Sequence, residues 1–455
     1  MMTIEQFGRR LRARELTAVR VTDECLRRIE ADNPRLNAFI LVMADEAMQQ
    51  AREADRELTT GNDRGPLHGV PISIKDLLDI RGVPTTAASH VRDGHVASRD
   101  AATITHLRQA GAVLIGKTTL HEFAFGTTSE DSAFGPARNP HDPERSPGGS
   151  SGGSGASIAA GMAMASIGTD TGGSIRIPAA ACGTVGLKPS FGEVSIDGVT
   201  PLSRTLDHVG PLALSVTDAS LVYHALLGDP SSVPPAPVPI AGLRLAVPRK
   251  YFCDLLDDAV RARFEEALAR LRTAGAQIDD IEIHHAADIG PVYLHLVLAD
   301  AAAYHAATLE SMPEKYTTPV RIRLEMGRYV LGEDYVRALA GREVLRREVD
   351  AALAQHDALI LPTLAIPAPL VGANMVQVGT QTEPVRNVML RLTQLFNVTG
   401  HPAISMPDGQ TGTGLPCALQ LVGGRMQTDA LLKVALACER QIAGDPSPRS
   451  GPIGV

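Results

Sequence analysis

Between Gly148 and Pro189 the chain reads GGSSGGSGASIAAGMAMASIGTDTGGSIRIPAAACGTVGLKP, with a Gly-Gly-Ser string before a run of small residues and a second one after it. Ser157 to Ala163 suits a helix packed at close range, so the fold has to bring other elements tightly against this segment. Glycines beside serines let the backbone approach another molecule and aim several amides at one atom. A flexible Gly/Ser linker is the plain alternative, but a linker does not run directly into an apolar small-residue helix. The pattern points to an acyl-transfer site.

A second feature lies far upstream. Lys75 follows Val70-Pro71-Ile72-Ser73-Ile74 and precedes Asp76-Leu77-Leu78, surroundings that predict burial. Lysines are almost never fully buried unless paired or functional. Burial disfavours the ammonium and lowers its pKa, giving a neutral amine able to accept a proton.

Two other strings match familiar signatures out of context. Gly111 to Thr118, GAVLIGKT, fits the phosphate-loop pattern, yet a helix-like segment precedes Gly111 and an apolar strand, Ala112 to Ile115, fills the supposed loop. Gly148 to Gly152 fits G-x-S-x-G, the elbow of Ser-His-Asp hydrolases, but the elbow needs a buried strand before it. Here the preceding residues, Asn139 to Pro147, are polar and broken by proline. An esterase with a downstream histidine stays as an alternative, as does a binding scaffold without catalysis.

The Gly/Ser segment, together with GVPISIKDLLDIRGVPTT at 69–86, AGAVLIGKTTLHEFAFG at 110–126 and GLPCALQLVG at 414–423, resembles the amidase signature family, whose blocks occur in this order. The resemblance covers most of the chain and is weak at 240–345. It implies a Lys-Ser-Ser triad with Ser174 as nucleophile, Ser150 as bridging serine after a cis Gly149-Ser150 bond, and Lys75 as base. The oxyanion amides fall on Thr171, Gly172, Gly173 and Ser174. Ser151 is expected to support Lys75, and Asp170 with Arg176 to form an ion pair holding the loop. The implied activity is cleavage of a carbonyl–nitrogen bond in a small molecule: a carboxamide, anilide, carbamate or carboxylated urea. The family also contains the glutamine-hydrolysing amidotransferase subunit; TLDHVGP at 205–211 is closer to free-standing members.

Composition sets the remaining bounds. With 43 basic and 51 acidic residues mixed along the chain, no strongly positive surface is implied and nucleic acid is excluded as an expected partner. The five cysteines are odd in number and widely spaced, which fits reduced thiols and a cytoplasmic location. The histidines show no zinc spacing, so neither metal nor other cofactor is expected. No membrane span is expected either, because the run Ile158 to Ile167 is about half the ~20 residues required. A homodimer stays open.

The organisation expected is α/β: a single large αβα domain with a mixed, mostly parallel central sheet covered by helices. Residues 1–60 read as an N-terminal layer of amphipathic helices and 61–228 as the catalytic core. Residues 229–240 read as a proline-rich crossover, and 241–443 as a second half whose stretch 290–335 shapes the substrate site. The tail 444–455 reads as irregular.

Overall fold

The computed structural model describes residues 2–231 and 233–442; the tail expected at 444–455 lies outside the described residues. The first half runs α1 (Ile4–Arg12), α2 (Ala18–Leu36), β1 (Phe39–Val42), α3 (Ala44–Thr59), β2 (Pro71–Lys75), α4 (Ala102–Gln109), β3 (Val113–Thr118), α5 (Gly152–Ala159), β4 (Ala165–Asp170), α6 (Arg176–Cys182), β5 (Val185–Lys188), β6 (His208–Ala213) and α7 (Val216–Leu226). The connector 229–240 leads from α7 into β7 (Arg244–Pro248), α8 (Asp258–Thr273), β8 (Gln277–Ile281), α9 (Ile289–Ser311), α10 (Thr318–Gly327), α11 (Gly332–Leu353) and β9 (Ala358–Pro362). A short hairpin, β10 (Met375–Val378) and β11 (Gln381–Pro384), comes next. Then follow α12 (Val385–Leu390), α13 (Leu395–Val398), β12 (Ala403–Gln410), β13 (Pro416–Val422) and α14 (Thr428–Ile442).

Both halves enter one eleven-stranded sheet of order β1-β3-β2-β4-β6-β5-β12-β13-β9-β7-β8, so the chain is a single α/β domain with helices against a mixed sheet. Parallel pairing occupies two flanks, β3-β2-β4 and β9-β7-β8, where helical crossovers return each strand in the same direction. The middle, from β4 through β13 to β9, is antiparallel. The parallel character expected from the sequence is therefore concentrated at the two sides.

Two local differences from the sequence reading have simple causes. Phe39–Val42 lies inside the stretch expected to be helical, but it forms an edge strand antiparallel to β3, where the sheet supplies partners that local periodicity does not show. The second is Ala286–Ser311, which has the length and mean hydropathy, 1.2, of a membrane span although none was expected. Half of that window is buried, and α9 places Val292, Leu296, Val297 and Ala301 in the core beside α10 and α11. Its apolar character serves packing within the protein.

The ends of β2 and β3 carry a buried ion pair. Lys117 Nζ lies 2.8 Å from Asp76 Oδ1, with both side chains enclosed, and donates to Leu78 O at 2.9 Å and Thr85 Oγ1 at 3.0 Å. The lysine of GAVLIGKT thus points into the protein from a strand and holds the loop that follows Lys75. Lys117→Met leaves Asp76 as a buried charge without its cation, and should lower unfolding free energy by about 3–5 kcal/mol. The measurement is a denaturant titration; a midpoint equal to wild type at equal slope would show that the pair contributes nothing net.

Candidate active site

Strand β2 ends in Lys75, whose side chain is fully buried between α5 and β4. Its Nζ makes three hydrogen bonds of 2.8 Å, to Ser150 Oγ, Ser151 Oγ and Thr169 Oγ1. All three partners are hydroxyls, and none is a carboxylate. Burial pushes the Lys75 amine down to about 7, against the opposing pull of the Asp170 and Asp207 carboxylates. A pKa lowered from 10.5 carries a definite sign: the unfolded chain binds this proton more tightly than the native protein between about 7 and 10.5. Stability gains from rising pH in that window, and below it the cost is complete and constant.

Ser150 sits where an irregular segment enters α5, and the Gly149–Ser150 peptide is cis. No strand precedes it, and among the described residues no histidine hydrogen-bonds Ser150 or Ser174. The G-x-S-x-G string is therefore not a strand-to-helix elbow, which removes the geometric basis of the esterase alternative.

Ser174 lies on the turn from β4 into α6 and is 5% exposed, beside the buried Lys75 cluster: Ser151 N donates to Ser174 O at 3.2 Å. The backbone amides of Thr171, Gly172, Gly173 and Ser174 donate to no other group among the described residues. Gly173 has φ +141°, and a Cβ there would come within 2.3 Å of Thr393 Oγ1, so both conformation and space require glycine. Thr393 Oγ1 donates to Gly172 O at 2.6 Å, fixing the turn from behind.

Asp170 and Arg176, both with no exposure, clamp the ends of this turn. Asp170 Oδ2 accepts from Arg176 Nε at 3.1 Å and from Ile175 N at 3.1 Å, while Oδ1 accepts from Arg176 Nη2 at 3.1 Å and Asn397 Nδ2 at 2.8 Å. Arg176 also donates to Gln420 Oε1 at 2.9 Å and Asn397 Oδ1 at 2.7 Å. Burial alone would oppose the charge on Asp170, but the Arg176 guanidinium beside it holds the carboxyl well below the ordinary range.

The structure thus gathers Lys75, Ser150, Ser151, Asp170, the turn Thr171 to Ser174, and Arg176 into one cluster. It adds residues that sequence reasoning did not single out. Thr169 completes the shell around Lys75, while Asn397 and Gln420 complete that around Arg176. Asp207 accepts from Thr171 Oγ1 at 2.6 Å and from Leu202 N and Ser203 N. Burial lifts its carboxyl to about 6, although these hydrogen bonds act the other way. Its place in TLDHVGP, just before a buried strand, was the available signal. Among the described residues no three His, Cys, Asp or Glu side chains converge as metal ligands.

Comparison with known proteins establishes the family. The Amidase family model matches residues 20–432. An amidase of Pseudomonas putida is 40% identical over 96% of this chain and 96% of its own length. A glutamyl-tRNA(Gln) amidotransferase component from Carboxydothermus hydrogenoformans is 35% identical over 96% and 97%. A crystal structure of an amidase superposes with a TM-score of 0.91 at 37% identity, covering 96% of this chain and 99% of that one. By the family match and by likeness along nearly its whole length, the chain belongs to the amidase family.

Proposed function

We propose that this amidase cleaves the carbonyl–nitrogen bond of a small carboxamide, anilide or carbamate through an acyl-enzyme on Ser174. The observation that carries the reading is the amine of Lys75, buried, lowered in pKa and bonded only to hydroxyls. In its neutral form Lys75 takes the proton of Ser150, which takes that of Ser174 as the Ser174 oxygen attacks the carbonyl. The unengaged amides from Thr171 to Ser174 receive the developing oxyanion, an arrangement in which one lost donor typically costs about 3–4 kcal/mol. The relay then returns a proton to the leaving nitrogen, and water hydrolyses the ester.

Likeness to an amidase at 40% identity favours the free-standing enzyme, while 35% identity to an amidotransferase component keeps glutamine as the second substrate to examine. Five buried free cysteines support a reducing, cytoplasmic setting. Turnover measured on a panel of chromogenic anilides, carbamates and glutamine separates these substrate classes.

Ser174 should be the residue modified by a fluorophosphonate, since it alone pairs a hydroxyl with an oxyanion pocket. Peptide mapping that found the adduct on Ser150, with Ser174 free, would exchange the two roles.

The base should be visible in the pH profile. Because Lys75 accepts a proton only after losing its own, kcat/KM of the free enzyme should rise with pH through about 7. Lys75→Met should abolish that limb with most of the turnover. It should also remove the pH-dependent stability change expected between about 7 and 10.5. An unchanged ascending limb in Lys75→Met would assign the proton acceptor elsewhere.

A further inference from the structure

Helix α12 ends against the turn that carries Ser174. The position of a Cβ on Gly172 lies 2.5 Å from Tyr293 Oη of α9 and 3.1 Å from Leu390 Cδ2 of α12. Arg386 stands four residues before Leu390, on the same face of that helix. Its Nε is buried without a partner, and among the described residues the guanidinium makes no hydrogen bond and no ion pair. What surrounds it is the Phe125 ring, 5.9 Å from Cζ, the Tyr293 phenol, and the side chains of Arg323 and His121, both of which feel its charge.

Arg323 donates to Phe125 O at 2.8 Å and lies 3.8 Å from Asp131 Oδ2, whose nearer partner is His121 Nε2 at 3.0 Å. This wall therefore holds two guanidiniums against one carboxylate that is already engaged. Both guanidiniums are half-buried, and a cation drawn partly out of water without a counter-ion carries a cost. Burial, and for Arg323 also the repulsion of Arg386, lowers the pKa of both groups. No structural ion pair uses Arg386, while the planar fork of a guanidinium suits a carboxylate.

We propose that Arg386, backed by Arg323, binds a carboxylate on the acyl part of the substrate, so that the enzyme acts on short half-amides of dicarboxylic acids. The inference rests on Ser174 as the point of attack. A short spacer between the two carbonyl carbons is inferred because the groups around Arg386 border the site: His121 N donates to Ser150 O at 3.1 Å, and Tyr293 lies against Gly172 of the Ser174 turn.

The test has a binding arm and a kinetic arm. Calorimetry compares malonate, succinate and glutarate with the monocarboxylate of equal carbon number. At least one dicarboxylate should bind wild-type protein about tenfold or more tightly than its counterpart, and Arg386→Gln should bring the two within about twofold. In turnover, the kcat/KM ratio of succinamic acid to butyramide should fall about tenfold or more in Arg386→Gln, chiefly through KM. Arg386→Lys, which keeps the charge without the fork, should lie between, and it replaces the glutamine variant if that one does not fold. Equal binding of both acid types by wild type, or a preference retained in Arg386→Gln, would overturn the proposal. Ser174→Ala keeps the two readings apart: turnover surviving in it, with the dicarboxylate preference intact, would remove Ser174 as nucleophile and leave Arg386 as anion receptor.

Discussion

The Asp170–Arg176 pair is the interaction on which the site's geometry depends, because it fixes both ends of the turn that bears Ser174 and does so with no solvent contact. A buried charge pair contributes to a fold only when its remaining hydrogen-bonding capacity is met. Asn397 and Gln420 meet it here, and both come from the far end of the chain. The turn is therefore held by a helix and a strand that are remote in sequence and close in space.

The same pair sets the electrostatics of Lys75. Asp170 and Asp207 are the carboxylates that favour the ammonium. Arg176 answers the charge of Asp170 at close range, and hydrogen bonds from Thr171, Leu202 and Ser203 engage Asp207. Desolvation is then the larger influence on Lys75, and its three hydroxyl partners can serve a neutral amine as readily as a charged one. Had either carboxylate reached Nζ directly, the amine would be held protonated and of no use as a proton acceptor.

Much of this was legible in the sequence, for reasons that differ by residue. Lys75 stood out because an apolar run surrounded a charge, and the 148–176 segment because glycines framed serines. Thr169 carried no such mark: β4 is buried along its whole length, so alternation of polar and apolar residues, the usual guide to which face a strand residue occupies, is absent. Asn397 and Gln420 act across more than two hundred residues, a distance at which no local pattern reports pairing. The edge strand Phe39–Val42 was hidden by helices on either side, and the antiparallel middle of the sheet by the fact that its strands come from opposite ends of the chain.

That last feature bears on how the protein comes into being. The sheet is joined at its centre by β12 and β13, which lie between β5 of the first half and β9 of the second and come last in sequence among the described strands. While it emerges from a ribosome the chain can hold Lys75, Ser150 and Ser174 outside the exit tunnel for hundreds of residues before β12 and β13 join the two parts of the sheet, and with Arg176 lacking Asn397 and Gln420. Contacts of such high sequence separation form late and slowly. An enzyme assembled in this order completes its reactive centre only after β12 and β13 have been made, and a product cut short before them carries all three of those side chains without the strands that draw the halves together.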